Sequence, residues 1–163
     1  MWLLSGVCLF LLFVFGLSAL RRAQQSDLPY GARKLFSPTE AAFFKALQEA
    51  VGPQFIPFAK VRVADLLNAR GSGSAWRRAF NRIQSKHVDF VLCRPDLSVE
   101  CAIELDDSSH AAESRADRDA FLNHAFKSAG IPLHRFKARS SYSAADIRAS
   151  LAKAVASKAE RIT

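Results

Sequence analysis

The chain opens on an unbroken apolar run, Trp2 to Leu20, which holds no charged residue and is dominated by Leu, Phe and Val. Its length matches the roughly 20 apolar residues that a helix needs to cross a bilayer core. Arg21 and Arg22 close the run and only Met1 precedes it. That order reads as an anchor, because a signal peptide carries its positive charge ahead of a shorter apolar region of about 7–15 residues. Cleavage near Ala19 is the alternative. Basic residues after the run and none before it favour a cytoplasmic C-terminal side and an N-terminus outside.

Beyond the anchor the pattern changes. Residues 23–36 are polar, with Pro29 and Gly31 and no sustained period, and read as a linker. Ser37-Pro38-Thr39-Glu40 then joins a capping serine, a proline at the first helical position and a glutamate three residues after the cap, which predicts a helix to about Val51. Its apolar stripe takes in Phe44, Leu47 and Val51, and Glu40 lies on that stripe. A strand follows over Gln54–Val63, a turn or short helix over Ala64–Ala69, a loop over Gly71–Ser74, and a basic amphipathic helix over Trp76–Gln84. Val88–Cys93 and Val99–Leu105 form a hairpin about Arg94-Pro95-Asp96. A helix of about fifteen residues ends at Gly130, Ile131–Phe136 is a strand, and an Ala-rich helix closes over Ser143–Lys158. The order predicts an α/β fold, a mixed sheet flanked by helices. Residues 1–22 are expected to be the anchor with its basic stop, 23–36 the linker and 37–163 one domain.

All 23 basic and 15 acidic residues lie after residue 20, so the domain carries the whole formal charge of +8. Such a balance suits an anionic partner, nucleic acid or acidic lipid headgroups. Cys8 lies in the anchor, Cys93 and Cys101 lie in predicted strands, and no Cys/His spacing suggests zinc. Reduced, buried thiols are expected in the domain.

The informative charges are those that interrupt apolar strands. Asp89 breaks Val88-Asp89-Phe90-Val91-Leu92, and Glu104 breaks Ala102-Ile103-Glu104-Leu105. A bare carboxylate in a sheet costs several kcal/mol, so each needs a cation or hydrogen bonds. Asp106, two residues after Glu104, projects from the same face, and Glu40 can reach in from the first helix. Carboxylates gathered on one face form a hard-oxygen site suited to Mg2+ or Mn2+, which binds one or two carboxylates together with waters and phosphates. A phosphodiester bound there would be open to metal-assisted hydrolysis. The same groups have a plainer reading as salt-bridge partners, helix caps and turn residues. Phosphate contacts fall to Arg77, Arg78, Arg82, Lys86 and Arg115, with Arg118 and Arg135 as further candidates. Arg118 could instead pair with a carboxylate of the domain. Lys86 and His87 also stand close to Asp89, whereas His124 and His134 read as packing or surface residues.

The segments Lys86-His87-Val88-Asp89-Phe90-Val91-Leu92-Cys93, Ala102-Ile103-Glu104-Leu105-Asp106-Asp107-Ser108-Ser109-His110, Arg118-Asp119-Ala120-Phe121 and Gly130-Ile131-Pro132-Leu133 resemble the bacterial family called domain of unknown function 2726. That family is grouped with the PD-(D/E)XK nucleases, including relatives of the very-short-patch-repair endonuclease. The resemblance covers roughly Leu35–Phe136. It implies a restriction-endonuclease-like core, α-β-β-β-α-β; with the N-terminal transmembrane helix read from the apolar run, the expectation is a single-pass protein of the bacterial inner membrane. It further implies that Asp89 and Glu104 are metal ligands, that Glu40 is a first-helix glutamate, and that position 106 belongs to a lysine. Here that position holds Asp106, so His110 is the substitute expected to take part as general acid or base. The function implied is a metal-dependent nuclease-like protein acting on nucleic acid, DNA in the first place. The alternatives are an inactive nucleic-acid-binding module or a membrane-surface adaptor for anionic lipid.

Overall fold

The structure, a computed structural model, describes residues 6, 10–18, 29–106 and 112–159, with the side chains of 112–116 and 154–159 excepted. The chain divides into two compact units, Met1–Leu35 and Phe36–Thr163.

In the first unit residues 6 and 10–18 are helical. Residues 1–5, 7–9 and 19–28 lie outside the described residues. Among the described residues no helix is long and apolar enough to cross a membrane. The transmembrane anchor expected over residues 2–20 is therefore corrected, and so is the single-pass inner-membrane placement derived from it.

The second unit is a mixed α/β fold. Helix α1 (Pro38–Val51) leads through a 3-10 turn (Gly52–Gln54) into β1 (Ile56–Arg62). The single-turn α2 (Val63–Leu66) and then α3 (Gly73–Ile83) precede β2 (His87–Cys93) and β3 (Val99–Asp106). Helix α4 (Ala112–Ser128), β4 (Leu133–Lys137) and α5 (Ala144–Ala159) complete the chain. The sheet order is β1-β2-β3-β4, with antiparallel pairing until β4 joins β3 in parallel. Parallel neighbours need a crossover, which α4 supplies.

Local chemistry explains where the elements begin and end. The Ser37 side chain accepts from the Glu40 N–H at 3.3 Å while Glu40 Oε2 accepts from the Ser37 N–H at 2.7 Å, so the predicted capping box is formed. Replacing Ser37 with Ala is expected to lower stability by about 1 kcal/mol, read as a shift of the urea midpoint. The buried face of α1 centres on Phe43, Ala46, Leu47 and Ala50, and the half-buried Phe44 packs at its edge against Phe90. Helix α3 starts three residues earlier than its periodicity suggests, because Gly73 takes a φ of 54° that admits the chain to the helix from a turn read as loop. Helix α4 ends at Gly130 (φ 71°), where Ile131 N–H donates to the Phe126 carbonyl and Gly130 N–H to that of Lys127. This is the paired bonding of a glycine-terminated helix.

Two apolar layers sandwich the sheet. On one side Phe43, Leu47, Phe90, Leu92 and Ile103 pack with Ile147 of α5. Phe43 lies against Phe90, Phe136 and Tyr142 at centroid distances of 5.4, 5.1 and 4.9 Å. On the other side Val63, Ile83, Val88, Val91 and Ala102 pack with Leu122 and Phe126 of α4. Cys93 and Cys101 are buried.

Candidate functional site

One cross-strand position departs from the pleat. Ala59 pairs with Phe90 and packs with the first layer, while Val61 pairs with Val88 and packs with the second. A period of two would keep residues 59 and 61 on one face. Between them lies Lys60, whose φ of 53° puts an unbranched but non-glycine residue in left-handed backbone. Such a conformation is uncommon for side-chain-bearing residues and persists only where surrounding interactions hold it.

Those interactions are two ion pairs. Lys60 Nζ bonds Glu40 Oε1 from α1 and Asp89 Oδ1 from β2, the latter at 2.8 Å. Burial alone would lower the Lys60 pKa, but the bonds to Asp89 and Glu40 outweigh it and raise the pKa above the usual lysine value. Burial likewise works to raise the Glu40 pKa, yet Lys60 and the Ser37 cap bring it below the normal range. Asp89 Oδ2 accepts the Leu105 N–H at 2.9 Å, which ties the carboxylate to β3. Glu40 thus serves the cap and the cluster together.

Glu104 is less well provided for. It lies one step beyond the paired Phe90 and Ile103, opposite Asp89, and is only 7% exposed. Among the described residues its Oε1 has no hydrogen-bond partner, and its nearest cation is Arg118 Nη2 at 3.7 Å. Burial, reinforced by the charge of Asp89, raises its pKa to about 7 against the opposing pull of Arg118 and Arg135.

The rest of the charge is arranged around this pair. Asp106 turns to Arg135, whose Nη1 lies 2.7 Å from it while Nη2 lies 3.2 Å from Asp119 of α4. Arg135 is therefore an internal partner rather than a free phosphate contact, and Asp106 is held by β4. Glu100, also buried, pairs with Arg94. Burial lowers the pKa of His134, which pairs with Ile103 in the sheet.

A cleft of about 740 Å³ opens over Asp89, with Lys60, Arg82, Lys86 and Arg118 on its walls beside Asp117 and Phe121. Four cations against two carboxylates give it a positive field. The Phe121 ring fixes two of them, with the Arg82 guanidinium 4.1 Å and the Lys86 ammonium 5.4 Å from its centroid. Arg77 and Arg78 are exposed along α3 and do not line this cleft. His110 lies outside the described residues, as does the side chain of Arg115.

Among the described residues no three His, Cys, Asp or Glu side chains gather closely enough to hold a metal ion. The reason is visible in the pairings: Lys60 occupies Glu40 and Asp89, and Arg135 draws Asp106 away. Glu104 fits a metal site, because its Oε1 is buried without a hydrogen bond and Mg2+ is commonly held by one or two carboxylates plus substrate phosphate, whereas Asp89, engaged by Lys60 and by the Leu105 N–H, fits as its second ligand only when Lys60 moves off Oδ1. Glu40, with both oxygens engaged, does not fit as a ligand without release of Lys60.

Lys60 is the site residue that sequence reasoning missed. A signal existed, since Lys60 interrupts Phe58-Ala59-Lys60-Val61 just as Asp89 interrupts β2.

Fold and cleft together define a mixed α/β protein with a cationic groove lined by Asp89, beside which Glu104 lies buried and outside the lining. A family model described as "Protein of unknown function (DUF2726)" matches residues 32–155, and the chain belongs to that family. No curated protein matches the chain, and no solved structure does.

Proposed function

We propose that the cleft is a metal-dependent site for hydrolysing phosphodiester bonds of nucleic acid, in the manner of the PD-(D/E)XK nucleases and near their very-short-patch-repair branch. The observation that carries this reading is Glu104, a buried carboxyl beside Asp89 whose Oε1 lacks a hydrogen bond. Folding gains nothing from such a group, and strained ionisable residues concentrate where function requires them. The order α1-β1-β2-β3-α4-β4, with α2 and α3 inserted between β1 and β2 and with Asp89 and Glu104 on the central hairpin, supports the same reading.

Asp89 and Glu104 would hold Mg2+ or Mn2+, and the metal when bound would polarise the phosphoryl oxygen and lower the pKa of a coordinated water. The chain's own groups supply the remainder. Arg82 and Lys86 bind the substrate phosphates. Lys60, from β1 and not from the position of Asp106, sets a positive charge next to Asp89 where negative charge develops on the phosphate. Arg118 is about half exposed and beyond hydrogen-bond distance of Glu104, so its withdrawal would open that carboxyl.

The Lys60 bridge also favours a second reading, a cleft that binds nucleic acid without cutting it, because an ammonium already satisfies Glu40 and Asp89. Titration of the full chain with Mn2+ separates the two. The nuclease reading expects saturable binding that Asp89→Asn and Glu104→Gln each abolish. Absence of binding, or binding untouched by both substitutions, would overturn it.

A further inference from the structure

Helix α3 carries an aromatic pair that the cleft does not use. Trp76 and Phe80, one turn apart, stack with centroids 5.0 Å apart and planes only 8° from parallel. Ile83 continues the stripe into the core, whereas Trp76 at its other end remains 41% exposed. An indole left so open is unusual for packing alone, since burying it would remove a large apolar area from water. Its neighbours in the chain, Arg77 and Arg78, are exposed, and no acidic residue lies anywhere in α3. At the other end of the helix Arg82 reaches the wall of the cleft.

A flat aromatic surface with arginines beside it meets the two requirements of single-stranded nucleic acid, a π-face for a base and cations for the backbone. Duplex satisfies only the second, because its base faces are already stacked on one another. We propose that Trp76, backed by Phe80, is a stacking platform for an unpaired base, and that α3 leads a single strand from this platform into the cleft. The helix between Trp76 and Arg82 rises about 9 Å, so the two residues can contact neighbouring nucleotides of one strand. The proposal rests on the reading of the cleft as a nucleic-acid site and specifies what that site accepts.

The test is the affinity of the full chain for a fluorescent oligothymidylate and for a duplex of equal length, in EDTA at fixed salt. Trp76→Ala is expected to weaken oligothymidylate binding about tenfold or more, the usual effect of losing one base-stacking aromatic, and to leave duplex affinity unchanged. Trp76→Phe is expected to retain most of the single-strand affinity. Wild-type affinity in Trp76→Ala would overturn the platform, and so would an equal loss for both oligonucleotides. Failure of the platform alone leaves the metal-dependent cleavage and the Mn2+ binding of the wild type intact. Failure of the hydrolytic reading removes those while the single-strand preference persists.

Discussion

Glu104→Gln is expected to make the metal-free protein more stable at pH 8 by about 2 kcal/mol and, under the proposed reading, to abolish Mn2+ binding. The raised pKa sets both sign and window. Between the unperturbed 4.5 and the folded value of about 7, the native state keeps a proton on Glu104 that the unfolded chain has released. Stability linked to this group is therefore complete below pH 4.5 and declines as pH rises from there through 7. A tenfold change in proton affinity corresponds to about 1.4 kcal/mol, so about 3–4 kcal/mol is the ceiling of the loss, and the weaker packing of an amide brings the expected gain nearer 2. Glutamine cannot ionise, so its advantage grows between pH 4.5 and 7 and is absent at pH 4. Urea unfolding in EDTA at pH 4, 6 and 8 reads this directly. Equal stability of the two proteins at pH 8 would show that Glu104 bears no ionisation strain.

Lys60→Met is expected to lose about 2 kcal/mol at neutral pH in EDTA. The substitution keeps the length of the side chain but leaves Glu40 and Asp89, each about four-fifths buried, without their shared cation. Removing one partner of a buried pair is destabilising by about 3–5 kcal/mol, and the remaining solvent contact here reduces that figure. Methionine gains nothing from the left-handed backbone at residue 60, so the strain persists without the ion pairs that hold it. Millimolar Mn2+ is expected to raise the melting temperature of Lys60→Met by more than that of the wild type, since the metal takes up the released carboxylates. An unaltered melting temperature in EDTA would mean that the two ion pairs do not support β1.

The succession of elements from Pro38 to the last helix could be read from hydrophobic period, capping residues and turn residues, because these are local properties. Asp89 and Glu104 were legible for a related reason: a carboxylate amid Val, Ile and Leu demands a partner wherever the strand lies. Of their partners only Arg118 was legible, as a cation that could pair with a carboxylate of the domain, which it does with Glu104. The pairing of Asp106 with Arg135 requires the parallel alignment of β3 and β4, which joins residues 29 positions apart. The bridge from Lys60 to Glu40 and Asp89 requires a left-handed lysine, and no local preference of lysine suggests one. The apolar run at the N-terminus failed in a different way. Counting uncharged residues measures the length a helix could have, whereas among the described residues no helix is long and apolar enough to cross a membrane.

Cleavage of labelled single- and double-stranded DNA and RNA by the full chain, with Mg2+, Mn2+ or EDTA, tests the nuclease reading most directly when run beside Asp89→Ala and Glu104→Ala. Cutting is expected to require the metal and to disappear in both variants. Intact substrate under every metal condition, from folded protein that still binds nucleic acid, would contradict that reading.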